Sequence, residues 1–483
     1  MPKTPIKSII ICLILSLCLT GCTGIAALGG SSSVKSSDLF LTDREKKVDE
    51  LLSGMKKDAD KLYPEGMPYG IIDHGTNTPV NESLYEFCKA LPKGGDLHVH
   101  DELVIPFSEY FRVLTETPDI YIDLDGGDDK GYLYSGDHPN TAVLLKDALS
   151  SGRVSEIEIR KSLLLTADGT PGERWKVFSR AFNIKRNLSK DRDLMEKIYE
   201  AGFRSCCNNN VDLLETRVYF STDDASNKNL CESIRRAYYK VKKDYPGFVV
   251  RIIASSGKKQ SVTIETAEDS LRSAIRLSKE IKDEYDPAEP KNFIIGLDLV
   301  HEEDVSKPLS EYEAFFNSKE VKDSGLLLFL HAGESLRDDN VNVKTARDLG
   351  PTRIGHGFNL YKYPELMTDI FYDDIAIEVC PISNYRLGYV DDLRNHPATT
   401  YIKNDIPIVI ASDDGLFLED DPLVNDYYAA ILAWDLNIKD IKNICKNNIF
   451  YSGLSTEEQN ELSHAWEEKW NSFIDQTLQG VKQ

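Results

Sequence analysis

Eight apolar runs recur along this chain of 483 residues, separated by longer stretches in which apolar and charged side chains repeat at helical intervals. The first surrounds Leu97, and the others are Val211 to Phe220, Phe248 to Ala254, Phe293 to Leu299, Leu326 to His331, Arg353 to Gly355, Ile375 to Cys380 and Pro407 to Ser412. Strands buried on both faces read as near-continuous apolar runs, and strands that alternate with helices predict a parallel sheet. Eight such units predict an α/β fold of the (β/α)8 barrel type, whose chemistry sits at the carboxyl ends of the strands. No short fixed-period repeat is visible, which argues against a solenoid or a propeller.

The barrel pattern occupies residues 92–475. Ahead of it, Val48, Leu51, Leu52 and Met55 recur at helical spacing, the break at Tyr63-Pro64-Glu65-Gly66 ends that helix, and Glu82 to Leu91 makes a second. Residues 43–91 therefore read as a helical extension. From about residue 102 to 174 the alternation lapses, which predicts an insertion after strand one. Asp123, Asp125, Asp128 and Asp129 within it fit a solvated acidic turn better than a calcium loop, because Gly127 and Tyr134 stand where ligands belong. Near the end, Ser455-Thr456-Glu457-Glu458 has the form of a capping box.

The first 42 residues stand apart. Lys3 and Lys7 precede an apolar run from Ile9 to Leu19 that is too short for a comfortable membrane span, so residues 1–21 read as an export signal. Its ending, Leu19-Thr20-Gly21-Cys22, resembles the lipobox of bacterial lipoproteins, in which cleavage leaves a lipid-modified cysteine, here Cys22. Residues 22–42 would then be a flexible tether, and the expected location is the cell envelope, at an outer membrane or the cell surface.

Charge narrows the partners. With 57 basic against 79 acidic residues the formal charge is -22, which argues against nucleic acid and against anionic lipid. Membrane contact is expected through the N-terminal lipid only. Nine cysteines without a CxxC pair imply neither a zinc ribbon nor a disulfide framework.

The candidate chemistry lies where the runs end. In a strand, residues i and i+2 face the same side, so His98 and His100 can meet one metal ion. Downstream come Leu330-His331-Ala332-Gly333-Glu334, Arg353-Ile354-Gly355-His356-Gly357 and Ala411-Ser412-Asp413-Asp414. Any one of these histidines alone could be a core side chain, but together at strand ends they predict a site. His98, His100, His331 and Asp413 offer nitrogen and oxygen donors with no thiolate, a set that suits Zn2+ with one position left for water. The fourth run has no lysine of the kind that bridges two metals, so one zinc per chain is expected. Glu334 and His356 remain as acid-base groups.

These residues resemble the adenosine deaminase family, and specifically its extracellular branch of adenosine-deaminase-related growth factors. The resemblance rests on Pro92-Lys93-Gly94-Gly95-Asp96-Leu97-His98-Val99-His100-Asp101, the His331, His356 and Asp413 segments, Glu378-Val379-Cys380-Pro381-Ile382-Ser383-Asn384 and Val211 to Arg217, and it covers about residues 82–452. It implies zinc-dependent hydrolytic deamination of adenosine or a related purine nucleoside, with Glu334 giving a proton to N1 and His356 orienting the water. Asp414 would lie at N7, Asp101 near the ribose, and Gly333 against the substrate. One departure stands out: His301 follows Asp298-Leu299-Val300 where the family usually has glycine, which points to a changed pocket. Two alternatives stay open, a barrel metallohydrolase for a different small substrate and a non-catalytic lipoprotein binding module. The oligomeric state is open as well, a homodimer included.

Overall fold

Eight parallel strands stand side by side in the order in which the chain makes them. They are β1 (Gly94–His100), β2 (Val211–Tyr219), β3 (Val249–Gly257), β4 (Ile294–Val300), β5 (Leu327–Ala332), β6 (Arg353–His356), β7 (Ala376–Val379) and β8 (Ile408–Ile410). This computed structural model describes residues 40–63, 80–125, 132–165, 169–418 and 421–480. The export signal, Cys22, the tether up to residue 39, the Pro64-Glu65-Gly66 break, and Asp128 and Asp129 lie outside the described residues.

The ring closes between β1 and the turn after β8. Val99 and Asp413 form a parallel bridge, the Asp413 N–H donates to the His98 carbonyl at 2.8 Å, and the His100 N–H donates to the Asp413 carbonyl at 3.3 Å. The closing seam therefore passes through three of the predicted metal ligands. The (β/α)8 class expected from the eight runs is the class observed, with strand limits displaced by one to a few residues.

The barrel interior departs from the usual packing of bulky branched side chains. Arg217 and Arg353 are fully buried there with Glu215, Asp298 and Glu378. Arg353 bonds Glu215 at 2.7 Å and Glu378 at 2.6 Å, while Arg217 bonds Asp298 at 2.8 Å and Glu378 at 2.5 Å. Both guanidinium groups also donate to the Leu97 carbonyl, at 2.9 and 3.2 Å. Buried ions persist when paired and hydrogen-bonded in this way.

Below the strands, Lys93 donates to the carbonyls of Cys88, Leu91 and Asn209 at 2.7, 3.2 and 2.8 Å. It thereby occupies the carboxyl ends of the helices Glu82–Ala90 and Arg192–Asn208, where backbone carbonyls lack helical partners. The final helix, Thr456–Gly480, opens on the expected Ser455–Glu458 pair and closes this end, with Trp466 donating to Pro92 O at 2.8 Å. Trp470 on the same helix donates to Glu45 at 2.8 Å, which seats the N-terminal helix Asp43–Asp60.

Between β1 and β2 the irregular sequence folds into a helix (Phe107–Glu116) and a small antiparallel sheet of Leu133–Ser135, Ile120–Ile122 and Val143–Leu144. Two short helices follow, then the long helix Pro171–Leu188. A threonine at 170 and Glu173 form a capping box that fixes where this long helix starts.

Candidate active site

His98 and His100 arrive on one face of β1, His331 on β5, and Asp413 on the turn after β8. The Nε2 atoms of His100 and His331 lie 3.2 Å apart. Asp413 Oδ1 is 3.3 Å from His100 Nε2 and 3.6 Å from His98 Nε2. The rings of His98 and His331 have centroids 4.5 Å apart. Residue 355 must be small for this approach, since a Cβ on Gly355 would come 3.1 Å from the His98 ring. Asp413 takes a φ of 56°, a left-handed conformation that aspartate tolerates better than most residues.

Two carboxylates set how these imidazoles face. His98 Nδ1 is 2.5 Å from Glu378, and His331 Nδ1 is 2.6 Å from Asp298, whose other oxygen accepts from the His331 backbone N–H at 2.9 Å. A carboxylate only accepts, so each Nδ1 carries the proton and each Nε2 turns a lone pair inward. Burial holds the His98 pKa well below the usual imidazole value and that of His331 down to about 4. His98 Nε2 is buried with no hydrogen-bond partner. Converging lone pairs, one of them orphaned, beside a carboxylate are costly unless a cation joins them. The residues therefore fit a divalent ion, and three nitrogens with one oxygen suit zinc.

Above this cluster lie the expected acid and base. Glu334 is buried, its Oε1 has no hydrogen-bond partner, and burial, reinforced by Asp413 and Glu303, pushes its pKa well above the carboxylate range. His356 Nδ1 is 3.7 Å from Glu334 Oε1, and burial holds its pKa down to about 3, so the ring is neutral. Asp414 is raised as well, by burial first and then by Asp413. Gly333, at φ 84°, turns the chain between His331 and Glu334, and a Cβ there would come 2.6 Å from Asn359 Oδ1. Glu303 fixes that turn by accepting the Gly333 N–H at 2.9 Å and the Glu334 N–H at 3.2 Å.

These groups open into a cavity of about 720 Å³, a size that holds a drug-sized molecule. Trp175, Phe178 and Phe182 of the helix Pro171–Leu188 wall one side, together with Lys185 and Tyr199. Lys185 reaches down to Asp101 at 2.8 Å and Glu102 at 3.3 Å. His301, directly after β4, lines the same cavity.

The structure thus brings His100, His331, His356, Glu334, Asp413, Asp414, Asp101 and His301 to one cavity, with His98 buried against His331 and Asp413, whereas Gly333, in the turn between His331 and Glu334, does not line it. Sequence reading assigned no role to Glu378, Asp298, Arg217, Glu215, Glu303 or Lys185. A signal existed for two of them: Glu215 and Arg217 are charged positions two apart on a strand that also carries Leu213, Leu214 and Val218, hence on one face. Cys380, whose thiol lies within 4.8 Å of ligand atoms of His356 and Asp413, was also not singled out. Burial raises its pKa well above the thiol value, which keeps it protonated.

Comparison with known proteins bears on the family and the fold. The family model described as adenosine deaminase matches residues 172–469. Adenosine deaminase 2 of Dictyostelium discoideum is 28% identical over 428 residues, covering 82% of this chain and 75% of its own length. Adenosine deaminase of Lutzomyia longipalpis is 28% identical over 474 residues, covering 91% and 90%. Among solved structures, an amidohydrolase of B. ambifaria with bound Zn shares the fold at a TM-score of 0.60 and 17% identity, over 86% of this chain and 100% of its own.

Proposed function

The chain belongs to the adenosine deaminase family and is an aminohydrolase, and from that premise we propose that it hydrolyses the 6-amino group of adenosine or a related 6-aminopurine nucleoside. Ammonia and the 6-oxo purine are the products. The observation that carries this reading is Glu334, a buried carboxyl held protonated beside a cluster of inward-facing imidazole lone pairs. A general acid at neutral pH needs such a raised pKa.

His98, His100, His331 and Asp413 would hold one zinc ion, and bound there it would lower the pKa of a water towards ~7. Glu334 donates its proton to purine N1, which makes C6 electrophilic. His356, neutral and 3.7 Å from Glu334, orients the attacking water and accepts its proton. Purine N7 is only an acceptor, so Asp414 meets it as a donor, in the protonated form that its burial favours. Asp101, fixed by Lys185, faces the sugar side. The aromatic wall of Trp175, Phe178 and Phe182 excludes bulk water and covers the base. A complete acid, base and ligand set argues against a non-catalytic binding module.

Loss of the adenosine absorbance band on incubation with zinc-loaded protein, abolished in Glu334→Gln, is the expected outcome. Failure of the loaded wild type to turn over adenosine, 2'-deoxyadenosine, adenine or AMP defeats the reading. The N-terminal sequence supports a location for this chemistry: with Cys22 lipidated after export, deamination takes place at the cell envelope. Cys22→Ala is then expected to move the protein out of the membrane fraction, and its retention there would overturn that assignment.

A further inference from the structure

His301 holds a backbone conformation more natural to glycine, with φ at 142°, at the end of β4 and in the wall of the substrate cavity. Residues kept in sparsely populated backbone regions cluster at functional sites. The segment around it is pinned. Lys307 Nζ donates to the carbonyls of Lys259, Gln260 and Val262 at 3.2, 2.9 and 2.5 Å, and its N–H donates to Lys258 O at 2.9 Å. Lys259 and Ser306 are bridged as well, so the loops after β3 and β4 are fastened together.

The hydrogen bonds around the ring settle its tautomer. Ser306 Oγ–H donates to the Glu302 carbonyl at 2.6 Å, and a carbonyl cannot donate in return. The serine proton is thus committed, and at 3.1 Å from His301 Nδ1 its oxygen can only accept. Nδ1 therefore bears the hydrogen. Burial, and then Lys259, push the ring's pKa down to about 4, so it is neutral at pH 7 and Nε2 keeps its lone pair.

We propose that His301 is a specificity-determining residue whose Nε2 accepts a hydrogen bond from the 5'-hydroxyl of the substrate's sugar, so that the site selects a free nucleoside over its 5'-phosphate ester. This rests on the aminopurine reading above. A sugar hydroxyl supplies the donor that a fixed acceptor requires, whereas a phosphoryl group, carrying about two negative charges at pH 7, offers acceptor oxygens only. The chain's formal charge of -22 also disfavours an anionic substrate. Arg186, Arg192 and Lys259 line the same cavity and are the groups an ester would use instead, so the ester belongs in the test.

Steady-state rates with zinc-loaded wild type, His301→Gly and His301→Gln are measured on adenosine, its 2'-, 3'- and 5'-deoxy analogues, and AMP. Glycine accepts the local φ, and glutamine keeps an acceptor. Wild type is expected to lose about tenfold in kcat/KM on the 5'-deoxy analogue, mainly through KM, and at least that much on AMP, while against the 2'- and 3'-deoxy analogues the preference for adenosine stays small. His301→Gly should lose about tenfold on adenosine yet treat adenosine and the 5'-deoxy analogue alike, with His301→Gln recovering part of the preference. Equal discrimination by wild type and His301→Gly, or AMP as the better wild-type substrate, overturns the proposal. Calorimetric binding of purine riboside and its deoxy analogues, which carry no leaving amine, repeats the same cycle without turnover. Coupling in binding without any deamination sinks the function and spares His301; deamination without coupling sinks His301 alone.

Discussion

Glu378 accepts a hydrogen bond from Nδ1 of His98 at 2.5 Å, deep inside the barrel where neither side chain is exposed. The same carboxylate neutralises Arg217 and Arg353. One residue therefore both orients the His98 imidazole and balances the buried charge of the interior.

Glu378→Gln should damage both roles. An amide leaves two guanidinium groups short of a counter-charge and puts a donor or a weaker acceptor against His98 Nδ1. Breaking a buried pair costs about 3–5 kcal/mol, and loss of a residue that orients a ligand lowers metal affinity about 10–100-fold. Chelator competition and thermal unfolding read the two effects. Wild-type zinc affinity in the variant would show that Glu378 does not set the tautomer.

Glu303 touches the site through Glu334. It accepts two backbone N–H groups of the Gly333–Glu334 turn, and its charge is among the causes that raise the Glu334 pKa. In Glu303→Gln, kcat is expected to fall more than KM changes, and the alkaline limb of the pH profile should move to lower pH as Glu334 becomes more acidic. A purely structural role would lower stability and leave that limb in place.

Asp96, on β1, gives stability a pH dependence. Burial raises its pKa from 3.8 to about 7, although Ser412 donates to it at 2.5 Å. Between those values the folded chain holds a proton that the unfolded chain has released, so stability is fully present below the unfolded pKa and falls as pH rises towards 7. This group contributes a slope of about 1.4 kcal/mol per pH unit. Asp96→Asn should remove that slope from denaturant midpoints measured between about pH 4.5 and about pH 6.5, inside the interval that the two values bracket. An unchanged slope would mean that Asp96 is ionised in the fold.

Metal removal should destabilise the native chain, because the ligand set converges only when folded. At free metal about a hundredfold above Kd, binding contributes about 2.7 kcal/mol. Chelation is expected to lower the Tm of the wild type and to leave that of His331→Ala unchanged. An identical response of both proteins would place the ion elsewhere.

The amino-acid sequence by itself determined the barrel, because eight buried strands need eight apolar runs whatever surrounds them. It also picked out the residues that meet in the cavity, because unlike charged surface positions they interrupt apolar runs at strand ends, as His331 and Asp413 do. Only the tertiary structure decided what makes those residues competent. Asp298 lies 33 positions from His331 and Glu378 lies 280 from His98, so no local pattern links them. The same holds for Lys185 beside Asp101 and Glu303 beneath Glu334, whose spacing in the chain says nothing of their meeting in space. His301 is the intermediate case: its side chain is visible in the sequence, but the proton on its Nδ1 follows from where Ser306 sends its own. Periodicity records which side chains a fold buries; tautomers and shifted pKa values depend on distances across the barrel, which closure alone creates.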